Sequence, residues 1–402
     1  MADMKSNIQA ARAAVHETQM SEQTTHNFSF HADKRLQSEV IVRKDSLRHL
    51  DAMGIFDHIR KESKHLLVTD KNVEKLYLRR VLESIERTGR SVRTLVVPAS
   101  ESSKSFKVYS QLVEKALDYG FDKYSVIFSL GGGVVNNLAG FLASTLYRGI
   151  GLVHFPTSLL SQVDAAIDFK QAINFDHGKN LIGSYYPASK IVVDPLVLRT
   201  LDVRLIRDGL AEAIKHAICQ DTKFLSYIMS NSEHLVDPDF LTQVVTRSIE
   251  LKLEVMSGDL DSDYDETLKQ YGHAIGHAVE HLSEGEVYHG EGIAIGMCVS
   301  AEVALLLGLS DEETVDMHYD VFRRIGLPTT VPEAYSLSDI WEKIRYDKHF
   351  LGGKAYMGLV RTAGVMAPTN NGNFGHYIDQ EVVFEAIERN RRQGARDSLR
   401  VV

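Results

Sequence analysis

Four side chains carry the strongest chemistry in this sequence: His273, His277 and His289, within GHAIGHAVEHLSEGEVYHGE, and Glu212 sixty-one residues before the first of them. His273 and His277 are four residues apart and share one helical face, and His289 returns after the rest of the helix and a turn. One carboxylate with two imidazoles is a usual ligand set for a catalytic zinc-type ion, with coordination positions left open for substrate. A histidine-rich surface helix is the alternative for the pair alone. The further groups below favour the metal.

A second cluster is basic. QVDAAIDFKQAINFDHGKNLIGSYYP (162–187) places Asp164, Lys170, Asn174, Lys179 and Asn180 close together, and its glycines and Pro187 read as loops on a rigid scaffold. Two lysines beside a carboxylate suit a phosphorylated, hydroxyl-rich ligand, because ammonium groups complement phosphate. A polar surface loop would have the same composition. Lys215 lies three residues after Glu212 in GLAEAIKHA, on the same helix face, a spacing that simple surface ion pairs share.

A third feature is SLGGGVVNNLAG (129–140), which follows a strand and opens a helix. Gly131, Gly132 and Gly133 would let the backbone approach a phosphate, with helix amides behind them; the same glycines could form only a turn. Asp70, ending HLLVTD, is either a ribose ligand or a helix cap. Glu101 and Lys104 are either part of that site or a solvated pair at a helix start.

These groups need elements to place them. VIV (40–42), HLLVTD (65–70), VRTLVVP (92–98), YSVIFSL (124–130) and GLVHFP (151–156) read as buried strands, alternating with amphipathic helices over 72–89 and 104–120. That rhythm predicts an α/β domain with a parallel sheet over residues 28–200. From about residue 200 the period becomes helical, which predicts an all-α domain over 201–402. Residues 1–27 read as a loosely held polar extension.

Composition narrows the function. A chain of 402 residues can bury two cores, and a net charge of −9 argues against nucleic-acid or anionic-membrane binding. Cys219 and Cys298 are the only cysteines, so a reducing cytoplasm is expected. No run of 18 apolar residues and no apolar leader is present, which predicts neither a membrane span nor a signal peptide.

Taken in order, GGGVVNNLAG, YRG, PTSLLSQVD, FKQAIN, GKNLIG, GLAEAIK, GHAIGHAVE and YHGE resemble the motifs of the dehydroquinate synthase-like sugar phosphate cyclases, over roughly residues 38–390. The resemblance implies an NAD-binding α/β domain, a helical metal domain and an active site between them. It makes Glu212, His273 and His289 the ligands of zinc or cobalt. It places NAD against Asp70, Asn72, Glu101, Lys104, Gly131, Gly132, Gly133, Asn137, Thr157, Ser158 and Lys179. Asp164, Lys170, Asn180, Lys215, Lys252, His277 and Lys348 match positions that hold substrate. Arg148 matches an arginine that reaches the neighbouring subunit's site, which implies a homodimer. The implied reaction is transient oxidation by NAD, elimination of phosphate, return of the hydride and intramolecular aldol closure.

Departures from the family's founding enzyme bear on the substrate. Its pattern has Arg seven residues before the first histidine, to hold a carboxylate, and Asn three before it; here these are Glu266 and Gln270. Like charges in a partly buried site cost on the order of a few kcal/mol, so a neutral end is expected on the ligand. Sedoheptulose 7-phosphate, with CH2OH in place of COO⁻, fits; TLDVRLIRDGLAE (200–212) also resembles the valiolone-forming cyclases, and His277 with Lys348 points to the 2-epi-valiolone type. FKQAIN, Asn137 and RYD (345–347) resemble the 2-deoxy-scyllo-inosose branch, which acts on glucose 6-phosphate. Dehydroquinate synthase itself and glycerol-type alcohol dehydrogenases complete the alternatives.

Overall fold

The computed structural model describes residues 36–175, 178–256, 263–347 and 349–400, so the extension expected over 1–27 and Lys348 lie outside it. In chain order the first strands are β1 (Glu39–Val42), β2 (His65–Asp70), β3 (Val92–Val97), β4 (Val126–Gly131) and β5 (Gly151–Pro156). All five segments expected as strands are strands, with ends moved by two residues at most. Next come β6 (Lys170–Phe175), β7 (Gly178–Tyr185) and β8 (Lys190–Val193). Six strands form one parallel sheet in the order β1-β8-β5-β4-β2-β3.

The sheet is buried on both faces, which is why its strands are apolar runs rather than alternations. Leu66 and Val68 of β2 join the core on one side, with Leu138 and Leu142 of the helix Gly133–Thr145. Leu67 between them joins Phe128, Phe155, Val81 and Ile85 on the other. The chain leaves β2 for β3 on one flank and returns to β4 on the other, so the order reverses at the carboxyl ends of β2 and β4. Such reversals open the crevice in which parallel sheets bind ligands.

The segment 162–187 departs from expectation. It forms a wide turn of helix, Ser161–Ala165, and an antiparallel hairpin of β6 and β7, with Ala172 opposite Gly183 and Ile173 opposite Ile182. Only one short side is apolar, so its period is hidden among Asp, Asn, Lys and Gly. β8 was likewise absent from the strand reading.

After Asp202, which caps the next helix by accepting Arg204 N–H at 2.8 Å, the chain is mainly helical. The site-bearing helices are Val203–Gln220, Pro238–Met256, His273–Leu282 and His289–Leu306. This half also contains two small two-stranded sheets over 355–378, an addition to the expected helices. Residues 37–402 form one compact unit. Among the described residues only His289–Leu306 is long and apolar enough to cross a bilayer, and 78% of it is buried inside the fold.

The two histidine-bearing helices touch through backbone. A Cβ at Gly292 would lie 2.7 Å from the Gly276 carbonyl oxygen, and one at Gly296 would collide with that of Gly272. This approach lets His289, at the start of one helix, meet His273 and His277 on the other. Gly296→Ala should therefore cost about 3 kcal/mol by overpacking, read as a lower urea midpoint with unchanged m-value.

Candidate active site

Glu212 is wholly buried near the middle of its helix. Its Oε2 lies 2.5 Å from Lys215 Nζ, one turn on. Its Oε1 faces His273 Nε2 and His289 Nε2, each at 3.6 Å. His273 Nδ1 lies 3.0 Å from the Tyr271 carbonyl oxygen, and His289 Nδ1 lies 3.2 Å from Glu280 Oε2. Both partners can only accept, so both Nδ1 atoms donate, and in the neutral ring each Nε2 lone pair points toward Glu212. With both rings neutral, three acceptors converge on one point, and the buried Glu212 Oε1 has no hydrogen-bond donor there. A cation resolves this. Ligands about 2.1 Å from a tetrahedral ion are about 3.4 Å apart, close to the spacing found. The three residues fit a zinc-type ion.

His277 is the more exposed third imidazole, with its ring centroid 5.0 Å from that of His273 and 5.6 Å from that of His289. One nitrogen of each of the three rings lies within 4.8 Å of the others. A second such group, Asp164, Glu212 and the buried His216, backs onto the first through Glu212.

Electrostatics match this arrangement. Burial raises the Glu212 carboxyl, but Lys215 and the two histidines outweigh it and hold it well below the usual range. Burial and Lys215 keep His273 neutral. His277 is lowered to about 4 by its surroundings and by His289. For His289, burial is overcome by Glu212 and Glu280, which favour the charged ring when no metal competes.

Beside this centre lies the lysine cluster. Lys252 from Pro238–Met256 pairs with Asp164 and lies 3.9 Å from Asp168, which Lys170 approaches at 3.4 Å. Burial opposes the charge on Asp164, yet Lys252 holds its carboxyl at about 2. Asp164, Lys170, Lys215 and Lys252, expected from the sequence, are therefore brought together, and Asp168 joins them. Glu266 and Gln270 sit one turn apart with Gln270 Nε2 at 3.5 Å from Glu266 Oε1, and His349 Nε2 lies 2.8 Å from that same oxygen. His349 Nδ1 lies 3.2 Å from Asp347.

The expected cofactor residues gather at the strand-order reversal. Gly132 caps Gly133–Thr145 with extended backbone, and a Cβ on Gly131 would lie 2.6 Å from that of Val135. Thr157 N–H donates to the Gly131 carbonyl at 2.9 Å, while Ser158 lies under Gly132. Asp70 is a cap: its Oδ1 accepts from Asn72 N–H at 2.8 Å and Val73 N–H at 3.1 Å. Lys104, nearly buried, donates to Asn137 at 3.0 Å and to Asn180 at 2.5 Å. Asn180 has φ 57°, a left-handed conformation that Asn tolerates well. It thus stands beside the cofactor group rather than only among the substrate group. Glu101 is tied in through Asn174 Nδ2 at 2.8 Å. Arg148 stands apart, exposed in a turn where Tyr147, Arg148 and Gly149 have φ of 50°, 64° and 120°.

Comparison with known proteins agrees with this geometry. Residues 94–208 match the family model for the 3-dehydroquinate synthase N-terminal region, and residues 209–350 match the C-terminal one. The chain belongs to the dehydroquinate synthase-like sugar phosphate cyclase family. It is 40% identical over 310 residues to a 3-dehydroquinate synthase of Thermoanaerobacter pseudethanolicus, covering 76% of this chain and 86% of that one. A crystal structure of a 2-deoxy-scyllo-inosose synthase with carbaglucose-6-phosphate, NAD+ and Co2+ aligns with TM-score 0.79 and 26% identity, over 87% of this chain and 96% of that one. A 2-epi-5-epi-valiolone synthase from Streptomyces hygroscopicus subsp. jinggangensis, with NAD+ and Zn2+ bound, aligns with TM-score 0.80 and 25% identity, over 91% and 100%.

Sequence reasoning missed Glu280, Asp168, His216 and His349. Glu280 had a signal, since it follows His273 by seven residues and His277 by three, on their helical face. The ligand assignment separates His273 from His277: His273→Ala should lose stoichiometric zinc, whereas His277→Ala should keep it. Metal analysis after dialysis checks this, and equal loss in both would make His277 a ligand.

Proposed function

We propose that this protein is an NAD- and metal-dependent, phosphate-eliminating cyclase that converts sedoheptulose 7-phosphate to an epi-valiolone-type cyclitol. The observation that carries the substrate reading is the Glu266–His349–Asp347 trio, with Glu266 Oε1 and His349 Nε2 at 2.8 Å. Two carboxylates against one imidazole leave at least one negative charge among these three side chains, whichever way the ring is protonated. A ligand carboxylate at that point would be repelled, whereas a hydroxymethyl group can donate to Glu266 and accept from Gln270.

Bound NAD and a zinc or cobalt ion would supply reversible hydride transfer and Lewis acidity. Glu212, His273 and His289 would hold the ion. Asp70, Asn72, Glu101, Lys104, Gly131 to Gly133, Asn137, Thr157, Ser158 and Lys179 would hold NAD. The chain's own contribution is preorganised charge. Lys170 and Lys252, already positioned by Asp164 and Asp168, complement the leaving phosphate. Lys215, 2.5 Å from Glu212, keeps positive charge beside the hydroxyls that the substrate would present there. His277 and Asn180 belong to the same expected substrate set, and Lys348, outside the described residues, completes it.

The same proposal includes the division into a cofactor domain (28–200) and a metal domain (201–402). It also includes a homodimer, in which exposed Arg148 reaches the partner's site, and a cytoplasmic setting that suits the buried thiols Cys219 and Cys298. The principal alternative is a 2-deoxy-scyllo-inosose synthase using glucose 6-phosphate, followed by 3-dehydroquinate synthase and a glycerol-type dehydrogenase.

Purified protein with NAD and zinc or cobalt should release phosphate from sedoheptulose 7-phosphate without accumulating NADH. Release from glucose 6-phosphate or the dehydroquinate precursor instead would assign the other branches, and NADH accumulation without phosphate would make it a dehydrogenase. Glu266→Arg should lower kcat/KM for the neutral sugar at least tenfold, and unchanged kinetics would remove the substrate argument.

A further inference from the structure

The metal-side and cofactor-side groups are joined by one carboxylate, the last residue of GHAIGHAVE, to which neither the sequence reading nor the proposed mechanism gives a role. Glu280 sits in His273–Leu282, one turn beyond His277, with its side chain 13% exposed. Its Oε2 lies 3.2 Å from His289 Nδ1, and its Oε1 lies 2.5 Å from Lys179 Nζ. Lys179 belongs to β7 of the hairpin, a hundred and one residues away in sequence. The two helices make room for this contact: Gly292, three residues into the helix that His289 starts, would place a Cβ 3.5 Å from that of Glu280.

A carboxylate can only accept, so its bond to His289 does two things. It puts the imidazole proton on Nδ1, leaving the Nε2 lone pair for the ion, and it fixes the ring plane so that this lone pair faces Glu212. Its negative charge also makes the imidazole a stronger donor to a cation. The other oxygen is held by Lys179, which costs Glu280 its freedom to rotate away from the ring.

We propose that Glu280 is a positioning residue for the metal centre and that Lys179 acts on that centre through it, so that the β6–β7 hairpin and metal affinity are coupled. The proposal rests on the reading that Glu212, His273 and His289 hold a metal. It is independent of any contact between Lys179 and NAD.

Chelator competition with zinc on full-length, NAD-free protein tests it, using wild type, Glu280→Gln, Lys179→Met and the double variant. Glu280→Gln keeps the shape and removes the charge, and should weaken zinc binding about 10- to 100-fold. Lys179→Met should weaken it severalfold alone and add nothing once Glu280 is Gln. Cobalt-loaded Glu280→Gln should also show a shifted visible absorption, a readout that a general loss of stability would not produce. Zinc affinity within twofold of wild type, with an unchanged cobalt spectrum, overturns the role of Glu280. Fully additive losses in the double variant overturn the coupling to Lys179. Failure of the underlying reading looks different: His273→Ala would then retain stoichiometric zinc.

Discussion

Everything in the helical half answers to one constraint, the complete burial of the Glu212 carboxylate. A buried anion without partners costs several kcal/mol even after the protein relaxes, so its neighbours must compensate it. Lys215 does so on one oxygen. The other oxygen faces two imidazole lone pairs, an arrangement that repels unless a cation or proton lies among them. The site is therefore poised for a positive ion by geometry, with stability and ligand binding tied to the same three atoms. Asp164 and His216 extend the constraint behind Glu212, where Lys252 supplies the balancing charge.

Meeting that constraint requires three helices to bring side chains to a point, and their backbones must come unusually close. Small residues at Gly276, Gly292 and Gly296 permit it. The helix His289–Leu306 shows the consequence: buried all round, it has no polar face, and its chemistry is confined to its first turn. The sheet half meets a different demand. Its crevice arises from strand order, so glycines at the end of β4 lie beside residues at the ends of β2 and β3.

Legibility followed the physical origin of each feature. Buried parallel strands and long amphipathic helices write their period into the chain, and all five strands read from the sequence are present. The proposed metal ligands were legible because His273 stands four residues before a second histidine, His277, and the motif order supplied the rest. The hairpin was not, because a two-stranded ribbon with one small apolar side has no sustained alternation. Contacts such as Glu280 with Lys179 or Glu266 with His349 join residues 101 and 83 positions apart, and a single sequence has no term for that proximity. Asp70 shows the reverse case. Both of its readings are open in the sequence, and the structure uses one oxygen for the cap.

The 40% identity to a 3-dehydroquinate synthase does not by itself decide the substrate. Identity over hundreds of residues reflects the fold that the family shares. Choice between substrates differing at one terminal group depends on the few side chains that meet that group. A carboxylate-binding site is favoured by positive charge, and Glu266, Asp347 and His349 sum to a negative charge among themselves, whatever the protonation of His349. On the proposed function, specificity would follow from exclusion of a ligand carboxylate beside Glu266 and Asp347.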